Sequence, residues 1–377
     1  MSQASPRRQL TVVISSLSIG GAERVLTELA NYWVSLGWII TIIHFSQPGT
    51  PPYFPLDSRV KEVALGLHGV SRSPIAAIIN NLRRIMVLRR AIRATRPDLV
   101  LSLMNRTNVL TVFSTIGFEI PVIVSEHTAP RGTLSVPWRI LRALAYRRAT
   151  FVVMLTAGAL AELPSALRQR GRVIPNPLPS AFATAAATTT DEQVGSAGQT
   201  IMGLGRLTPE KGFDLLIEAF ARIADSWPTA RLEIWGEGDE RDRLERIRAS
   251  HDLVERVALP GETRSPERVL PSATVFVLSS RLEGLPMALL EAMALGRAVV
   301  ACDCDHGPRD IVRHGIDGLL VPSEDVTALA DAIEELLRDD ERRASLARRA
   351  VEVRDRFALG AISEQWDTLF REARRDR

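Results

Sequence analysis

Hydrophobic and polar positions follow two rhythms along this chain. Short runs of aliphatic and β-branched residues are followed by stretches in which apolar residues return every three or four positions. Residues 10–15 are the first such run and predict a buried strand. Behind it, residues 22–36 set Val25, Leu26, Leu29 and Trp33 on one helical face and stop at Gly37. Residues 38–45 predict the next strand, and 74–95 a long helix that ends ahead of Arg96-Pro97. Further strands are predicted at 98–103, 122–125, 151–155 and 172–175, with helical segments between them. Strand and helix in alternation imply a parallel, doubly wound sheet.

Residues 179–199 are small, polar and without period, and predict an interdomain linker. The alternation then restarts, with strands expected at 200–204, 231–235, 256–259, 274–278, 298–302 and 318–321. Helices are expected between them and at 325–338, 340–356 and 361–374. No repeat of solenoid length is visible. The expected layout is an N-terminal domain over 1–178, the linker, a second domain over 200–356, and a helix over 357–377 that packs back toward the first domain. Two Rossmann-like domains in tandem would enclose a cleft at the carboxyl ends of their strands, where ligands of open α/β sheets bind.

Composition agrees with two domains. The chain has 377 residues, and about 150 residues per domain is usual. At 46% hydrophobic and 24% charged, with mean hydropathy +0.04, it has enough apolar material for two cores and is not a disordered chain. No apolar run reaches the ~18 residues of a spanning helix. Residues 1–10 are polar and basic without the apolar stretch of a secretory signal, so a cytoplasmic protein is expected. The two cysteines, Cys302 and Cys304, are too close together for a disulfide framework and too few for a structural zinc site. The six histidines lack ligand spacing, and no metal site is expected.

Charge divides the chain. Residues 1–178 carry 21 Lys and Arg against 8 Asp and Glu, while the remainder carries 26 against 36. A basic half suggests an anionic partner such as phosphate, nucleic acid or a membrane surface; mutual attraction of the two halves is the alternative. Nearly every cation is arginine. The only lysines are Lys61 and Lys211.

Three patterns carry candidate chemistry. Ser16-Leu-Ser-Ile-Gly20-Gly21 joins the first strand to a helix, where glycine lets a ligand approach and helical N–H groups face an anion. A tight turn explains it equally well, and it is neither G-x-G-x-x-G nor a P-loop. Gly203-Leu-Gly205-Arg206 to Lys211-Gly212 puts two cations in a glycine-rich loop after a strand, an arrangement suited to a diphosphate and its departure. The third is Arg281-Leu-Glu283-Gly284-Leu285-Pro286, with a helix running through Glu291 to Gly296. Helix N–H groups there can face a diphosphate and carboxylates can hold sugar hydroxyls; an acid favouring the helix dipole, with a solvated Glu291, is the plain alternative.

Together the three patterns resemble the family 4 retaining glycosyltransferases of the two-domain GT-B fold. The E-x7-E motif is Glu283 and Glu291, and the G-R-L-x-x-E-K-G loop is Gly205 to Gly212. Val173-Ile-Pro-Asn176-Pro, Leu259-Pro-Gly261, Gly307-Pro-Arg-Asp310-Ile and Gly315-Ile-Asp-Gly318 also match. The resemblance implies an α/β fold of two Rossmann-like doubly wound domains and a metal-independent hexosyltransferase without cofactor, its co-substrate a nucleotide sugar, a UDP-sugar above all. It implies that Arg206 and Lys211 bind the donor diphosphate and that Glu291 holds the ribose. Glu283 would contact the donor sugar near the reacting carbon, with Gly284 and Leu285 lining the same site. Val257 to Gly261 would lie along the nucleobase through backbone contacts. Gly20 and Gly21 would approach donor phosphate or acceptor, His127 in Ser125-Glu-His would contact the reacting centre, and Asn105 would line the same cleft. Asp310 departs from the family's usual Glu in that segment. Asp303-Cys-Asp305 satisfies the D-x-D metal pattern of another transferase fold and is taken as incidental.

The acceptor expected by resemblance is a lipid-linked or polysaccharide glycan. The helix at 74–95 carries Arg83, Arg84, Arg89, Arg90 and Arg93. Residues 136–148 interleave Arg139, Arg142, Arg147 and Arg148 with Trp138, Ile140, Leu141, Leu144 and Tyr146. Such segments can lie on an anionic bilayer, here the inner face of the plasma membrane, or be ordinary packed helices with a solvated face. A sugar-nucleotide epimerase on the same fold and a nucleic-acid-binding module are the competing functions. Aromatics at 5% and the lack of a nucleic-acid motif speak against the latter, and no nucleic-acid partner is expected.

Overall fold

The computed structural model describes residues 8–69, 73–127, 135–184 and 199–375. The chain forms two compact units, Met1–Pro177 with Leu359–Arg377, and Leu178–Ala358. In the first, seven strands make one parallel sheet: β1 (Gln9–Ile14), β2 (Ile39–His44), β3 (Lys61–Ala64), β4 (Leu99–Leu103), β5 (Val122–Ser125), β6 (Phe151–Met154) and β7 (Gly171–Val173). Their order is β3-β2-β1-β4-β5-β6-β7. In the second unit, β8 (Thr200–Leu204), β9 (Arg231–Trp235), β10 (Val257–Gly261), β11 (Val275–Leu278), β12 (Ala298–Asp303) and β13 (Leu319–Pro322) lie in the order β10-β9-β8-β11-β12-β13. All pairings in both sheets are parallel.

The two-residue period of the strands divides the first core. Leu10, Val12 and Ile14 face α1 (Gly21–Ser35), whose Val25, Leu26, Leu29 and Trp33 fill that side. Val13, Ile43 and Val100 face α2 (Pro74–Thr95), α3 (Asn105–Ser114) and α4 (Val136–Tyr146). The C-terminal helix Leu359–Arg375 completes the α1 side: Trp366 and Phe370 lie 6.5 and 5.5 Å from the Trp33 ring. Arg8–Asp367, Arg172–Glu372 and Arg374–Asp98 ion pairs tie the helix to the strands of its unit.

Some elements depart from expectation. β3 is a short edge strand of sequence KEVA, with no buried residue and hence no hydrophobic run to announce it. Pro179–Thr184 is not all linker: Ser180–Ala183 forms a helical turn in the second unit, with Phe182 fully buried, and 185–198 lie outside the described residues. The helix expected over 340–356 is two, Asp340–Ala350 and Val353–Arg356. Most unusual is α2. It buries only Leu88 and Ile92, while Ile75, Ile78, Ile79, Leu82 and Met86 are each more than half exposed. Val136, Ile140, Leu141 and Leu144 of α4 are exposed as well. Neither helix is an ordinary packed helix with a polar outer face.

Candidate active site loops

In each sheet the strand order reverses beside one pair of strands, β1 and β4 in the first and β8 and β11 in the second. Loops that leave such a pair diverge to opposite faces and open a crevice at the carboxyl ends. Most of the candidate residues lie in those loops.

In the second unit the loop after β8 holds Arg206, exposed, and Lys211, partly buried. Lys211 Nζ donates to Glu283 Oε1 at 2.6 Å, and Ser280 Oγ donates to the same oxygen at 2.7 Å. The cation after β8 and the acid after β11 thus form one unit, with Glu283 only 8% exposed. Backbone and side chains lash the two loops together. Ser279 Oγ donates to the Lys211 carbonyl, the Arg281 amide to the Glu210 carbonyl, and the Arg281 guanidinium to the Pro209 carbonyl. Gly212 makes this possible. Its φ is +63°, and a Cβ there would stand 2.2 Å from the Ser279 carbonyl oxygen.

Behind this pair, Arg281 grips Asp214 through both guanidinium nitrogens at 2.8 and 2.9 Å, with Arg243 at 3.2 Å. Burial alone would raise the Asp214 carboxyl, but the two guanidiniums hold it below its ordinary range. Sequence reasoning quoted Arg281 without giving it a role and passed over Asp214 and Ser280. Asp214, in the first turn after the G-R-L-x-x-E-K-G loop, was the available signal.

Gly284 and Leu285 lead into the helix Met287–Ala294, with Pro286 at the cap position. Gly307, at φ +94°, lets the next loop approach: a Cβ would meet Pro286 at 2.7 Å and the Gly284 carbonyl oxygen at 3.0 Å. Asp310 Oδ2 accepts from the Gly307 amide at 3.3 Å, so the shorter acid serves as a helix cap. Glu291 is buried in the Met287–Ala294 helix, not solvated. Asp303 of the D-x-D sequence is gripped by Arg309 at 2.8 and 2.9 Å. Burial pushes both cysteine thiols up to about 12, so neither ionises near neutral pH. Val257 is a correction. It opens β10 at the amino end, 1% exposed in the core, whereas Gly261 at the other end pairs with Trp235 at the level of the loops.

In the first unit Gly20 caps α1 in extended conformation and Gly21 begins it. A side chain on Gly20 would collide with the Glu23 carboxylate. Asn105, buried, begins α3 just after Met104, whose φ is +78°. His127 follows β5. Its Nε2 lies 3.1 Å from Ser125 Oγ, while Nδ1 is buried and has no hydrogen-bond partner among the described residues. Burial pushes the imidazole down to about 4, so it is neutral at physiological pH.

The strand end beside His127 is braced from α4. Glu126, 1% exposed, accepts from Arg142 Nε at 2.8 Å and from the Tyr146 hydroxyl, while Asn108 Nδ2 holds the Ser125 carbonyl at 2.9 Å. Burial and the neighbouring carboxylate raise the Tyr146 hydroxyl far above its usual range, so it stays a donor. Arg142 and Tyr146 therefore point inward, not onto a basic outer face. Their four-residue spacing on a helix next to a Glu-His pair was the signal in the sequence.

Comparison with known proteins gives the two units names. Residues 19–181 match the family described as Glycosyltransferase Family 4, and residues 191–353 the family described as Glycosyl transferases group 1. An exopolysaccharide phosphotransferase of Streptomyces coelicolor is 36% identical over 240 residues, 63% of this chain, and the chain covers 25% of that protein's length. The GalNAc-alpha-(1->4)-GalNAc-alpha-(1->3)-diNAcBac-PP-undecaprenol alpha-1,4-N-acetyl-D-galactosaminyltransferase of Campylobacter jejuni is 24% identical over 97% of this chain and 99% of its own. Among solved structures, Anabaena HepE in complex with UDP shares the fold with a TM-score of 0.76, at 18% identity over 97% of this chain and 100% of that one. Both units are matched in order, each with its parallel sheet, and the chain belongs to the family 4 glycosyltransferases of the GT-B fold, enzymes of glycan biosynthesis.

Proposed function

We propose that the protein moves a hexose or N-acetylhexosamine from a UDP-sugar to a lipid-linked or polysaccharide acceptor, with retention of anomeric configuration. The observation that carries this reading is the Lys211–Glu283 pair at the switch point of the second sheet, with Arg206 on the same loop. Lys211 has three ammonium protons and Glu283 takes one of them. The others, with Arg206, can meet a diphosphate and stabilise the charge that grows on it as the sugar leaves. Glu283, held by Lys211 and Ser280, presents its second oxygen to a sugar hydroxyl. The C–O bond to the diphosphate breaks, the acceptor oxygen attacks the anomeric carbon from the same face, and its proton passes to the departing phosphate oxygen. His127, neutral, contributes a hydrogen-bonding nitrogen to the sugar or acceptor rather than a charge. Two protein cations on the diphosphate make a divalent metal unnecessary and no other cofactor is required. The UDP in Anabaena HepE and the undecaprenol-linked glycan in the name of the Campylobacter jejuni enzyme support the donor and acceptor classes.

The same reading places the protein on the inner face of the plasma membrane as a peripheral component. Among the described residues no helix is long and apolar enough to cross a membrane.

A thermal-shift panel of UDP-, GDP- and ADP-sugars tests the donor. A UDP-sugar at a hundred times its Kd should add about 2.7 kcal/mol of stability. Proton NMR of the product linkage tests the stereochemistry. An inverted anomer overturns retention, and activity abolished by EDTA and restored by Mg²⁺ or Mn²⁺ overturns metal independence.

A further inference from the structure

In the second unit one short element holds two parts of the proposed donor site from behind. The helical turn Val353–Arg356 stands just ahead of Ala358, where the chain leaves the unit. Its two arginines are two positions apart, about 200° on a helix, and so reach in opposite directions. Arg354 Nε donates to the Ala294 carbonyl at 2.8 Å, at the end of the helix Met287–Ala294 that carries Glu291. Arg356 donates to the carbonyls of Ile311 and Asp310 at 2.8 and 3.2 Å, at the end of the helical turn Pro308–Ile311. That turn starts from Gly307, whose lack of a Cβ lets it lie against Pro286 and the Gly284 carbonyl, next to Glu283. Carbonyls at a helix end have no partner inside the helix, and here guanidiniums supply one.

Arg356 is itself fixed. Asp317, fully buried, accepts from Arg356 at 3.4 Å and from the Arg313 Nε and backbone amide at 2.6 and 2.7 Å. Arg313 also grips Glu352, the cap of the turn, at 2.7 Å. Burial lowers the Arg356 guanidinium below its ordinary range, with Asp317 acting against it. The next residue, Phe357, accepts from the Leu178 amide at 2.8 Å. Leu178 opens the second unit and Ala358 closes it, so this bond joins the chain's entrance to its exit.

We propose that Arg354 and Arg356 are positioning residues of the nucleotide-sugar site, and that through them nucleotide binding tightens the Leu178–Phe357 bond. The assignment rests on the donor reading given above and extends it to residues outside the loops. Coupling is reciprocal: a turn that holds the elements gripping the nucleotide is held in return when the nucleotide grips them. A purely structural clamp, when cut, would lower stability and leave nucleotide binding alone.

Calorimetric titration of UDP into the full-length protein, with residue-resolved hydrogen exchange at the Leu178 amide, tests both halves. Saturating UDP should slow that exchange about fivefold or more, the lower end of ordinary coupling between sites. Arg356→Gln should raise the UDP Kd by about the same factor and abolish the UDP-dependent slowing. Arg356→Lys keeps a charge for Asp317 but replaces a fork by a single nitrogen. It should recover the unfolding temperature lost in Arg356→Gln without recovering the UDP affinity. Should Arg356→Gln not fold, Arg354→Gln carries the same test, since it removes one bond at the end of the other helix. Recovery of both properties by lysine overturns the positioning role, because charge beside Asp317 would then be all that matters. Leu178 exchange unmoved by UDP, or an unchanged UDP Kd in folded Arg356→Gln, overturns the proposal and leaves UDP as the donor nucleotide. Binding of GDP or ADP in place of UDP, weakened by Arg356→Gln, would support the clamp and sink the UDP reading. A wild-type protein that binds no nucleoside diphosphate overturns both.

Discussion

Lys211 is the residue on which the proposed donor site turns, because its ammonium fixes Glu283 between the loops of the switch point. Lys211→Ala should lower turnover by about 10²–10³, the usual result of removing one preorganised electrostatic group. A folded variant with near-wild-type turnover in a steady-state assay would remove Lys211 from the mechanism. His127 makes a prediction about pH. Its folded value is about 4 against roughly 6.5 in an unfolded chain, so between those values only the unfolded chain takes up the proton. Stability should therefore fall as pH drops from about 6.5 to about 4 and should not depend on this group above 7. His127→Gln should flatten that segment of the stability–pH curve, measured by denaturant unfolding; parallel curves would mean the imidazole is not held neutral. Glu283, Lys211 and His127 stand out in the sequence because each lies in a loop after a predicted strand and within a segment that the family resemblance covers. The Arg281–Asp214 grip and the Glu126–Arg142–Tyr146 brace do not. Partners 67 and 16 residues apart meet only through the parallel crossover, so local pattern can mark Asp214 or the Arg142–Tyr146 spacing but cannot say what each one meets.

At the scale of elements, the loops after β8 and β11 behave as one object, and Gly212 is the residue that lets them touch. Gly212→Ala must place a methyl group in the left-handed region, at about 1–2 kcal/mol, and also push back the Ser279 carbonyl. The expected outcome is a lower unfolding temperature together with a raised KM for the nucleotide sugar, since Lys211 is the neighbouring residue. A loss of stability with donor KM unchanged would show that the two loops can part without disturbing the site. Legibility follows burial here too. Central strands announce themselves by short, mostly apolar runs, as at Thr200–Leu204 and Val122–Ser125, where prediction and structure coincide. The edge strand β3 gives no such signal. For α2 the expected ends, 74–95, coincide with the structure, and of the two readings left open for its face the ordinary packed helix fails, since its Ile and Leu side chains point to solvent.

For the whole molecule, charge follows the compact units. The first holds 25 Lys and Arg against 12 Asp and Glu, the second 22 against 32. On the first unit Arg84, Arg89 and Arg142 are taken up internally, while Arg83, Arg90 and Arg93 remain exposed beside apolar side chains. Each cation near an anionic leaflet contributes about 1 kcal/mol, so a few of them with the exposed aliphatic residues should give reversible binding. Sedimentation with anionic liposomes should carry the protein down at low salt and release it at high salt. Equal, negligible sedimentation with anionic and neutral vesicles would remove the membrane assignment and leave the transferase untouched. The route of the chain through its units has a further consequence, in time rather than in space. The polypeptide leaves the first unit at Pro177 and re-enters it only at Leu359. Trp33 and Trp38 are therefore made early and wait for Trp366 and Phe370, which close over them last. At translation rates of about 5–20 residues per second, the stretch between Pro177 and Leu359 alone takes roughly 10–40 s. During it the second unit is synthesised in full while an aromatic cluster of the first lies open. On the ribosome, the unit that begins first is the one that finishes last, and the nascent chain carries a sticky, half-built core for most of its synthesis.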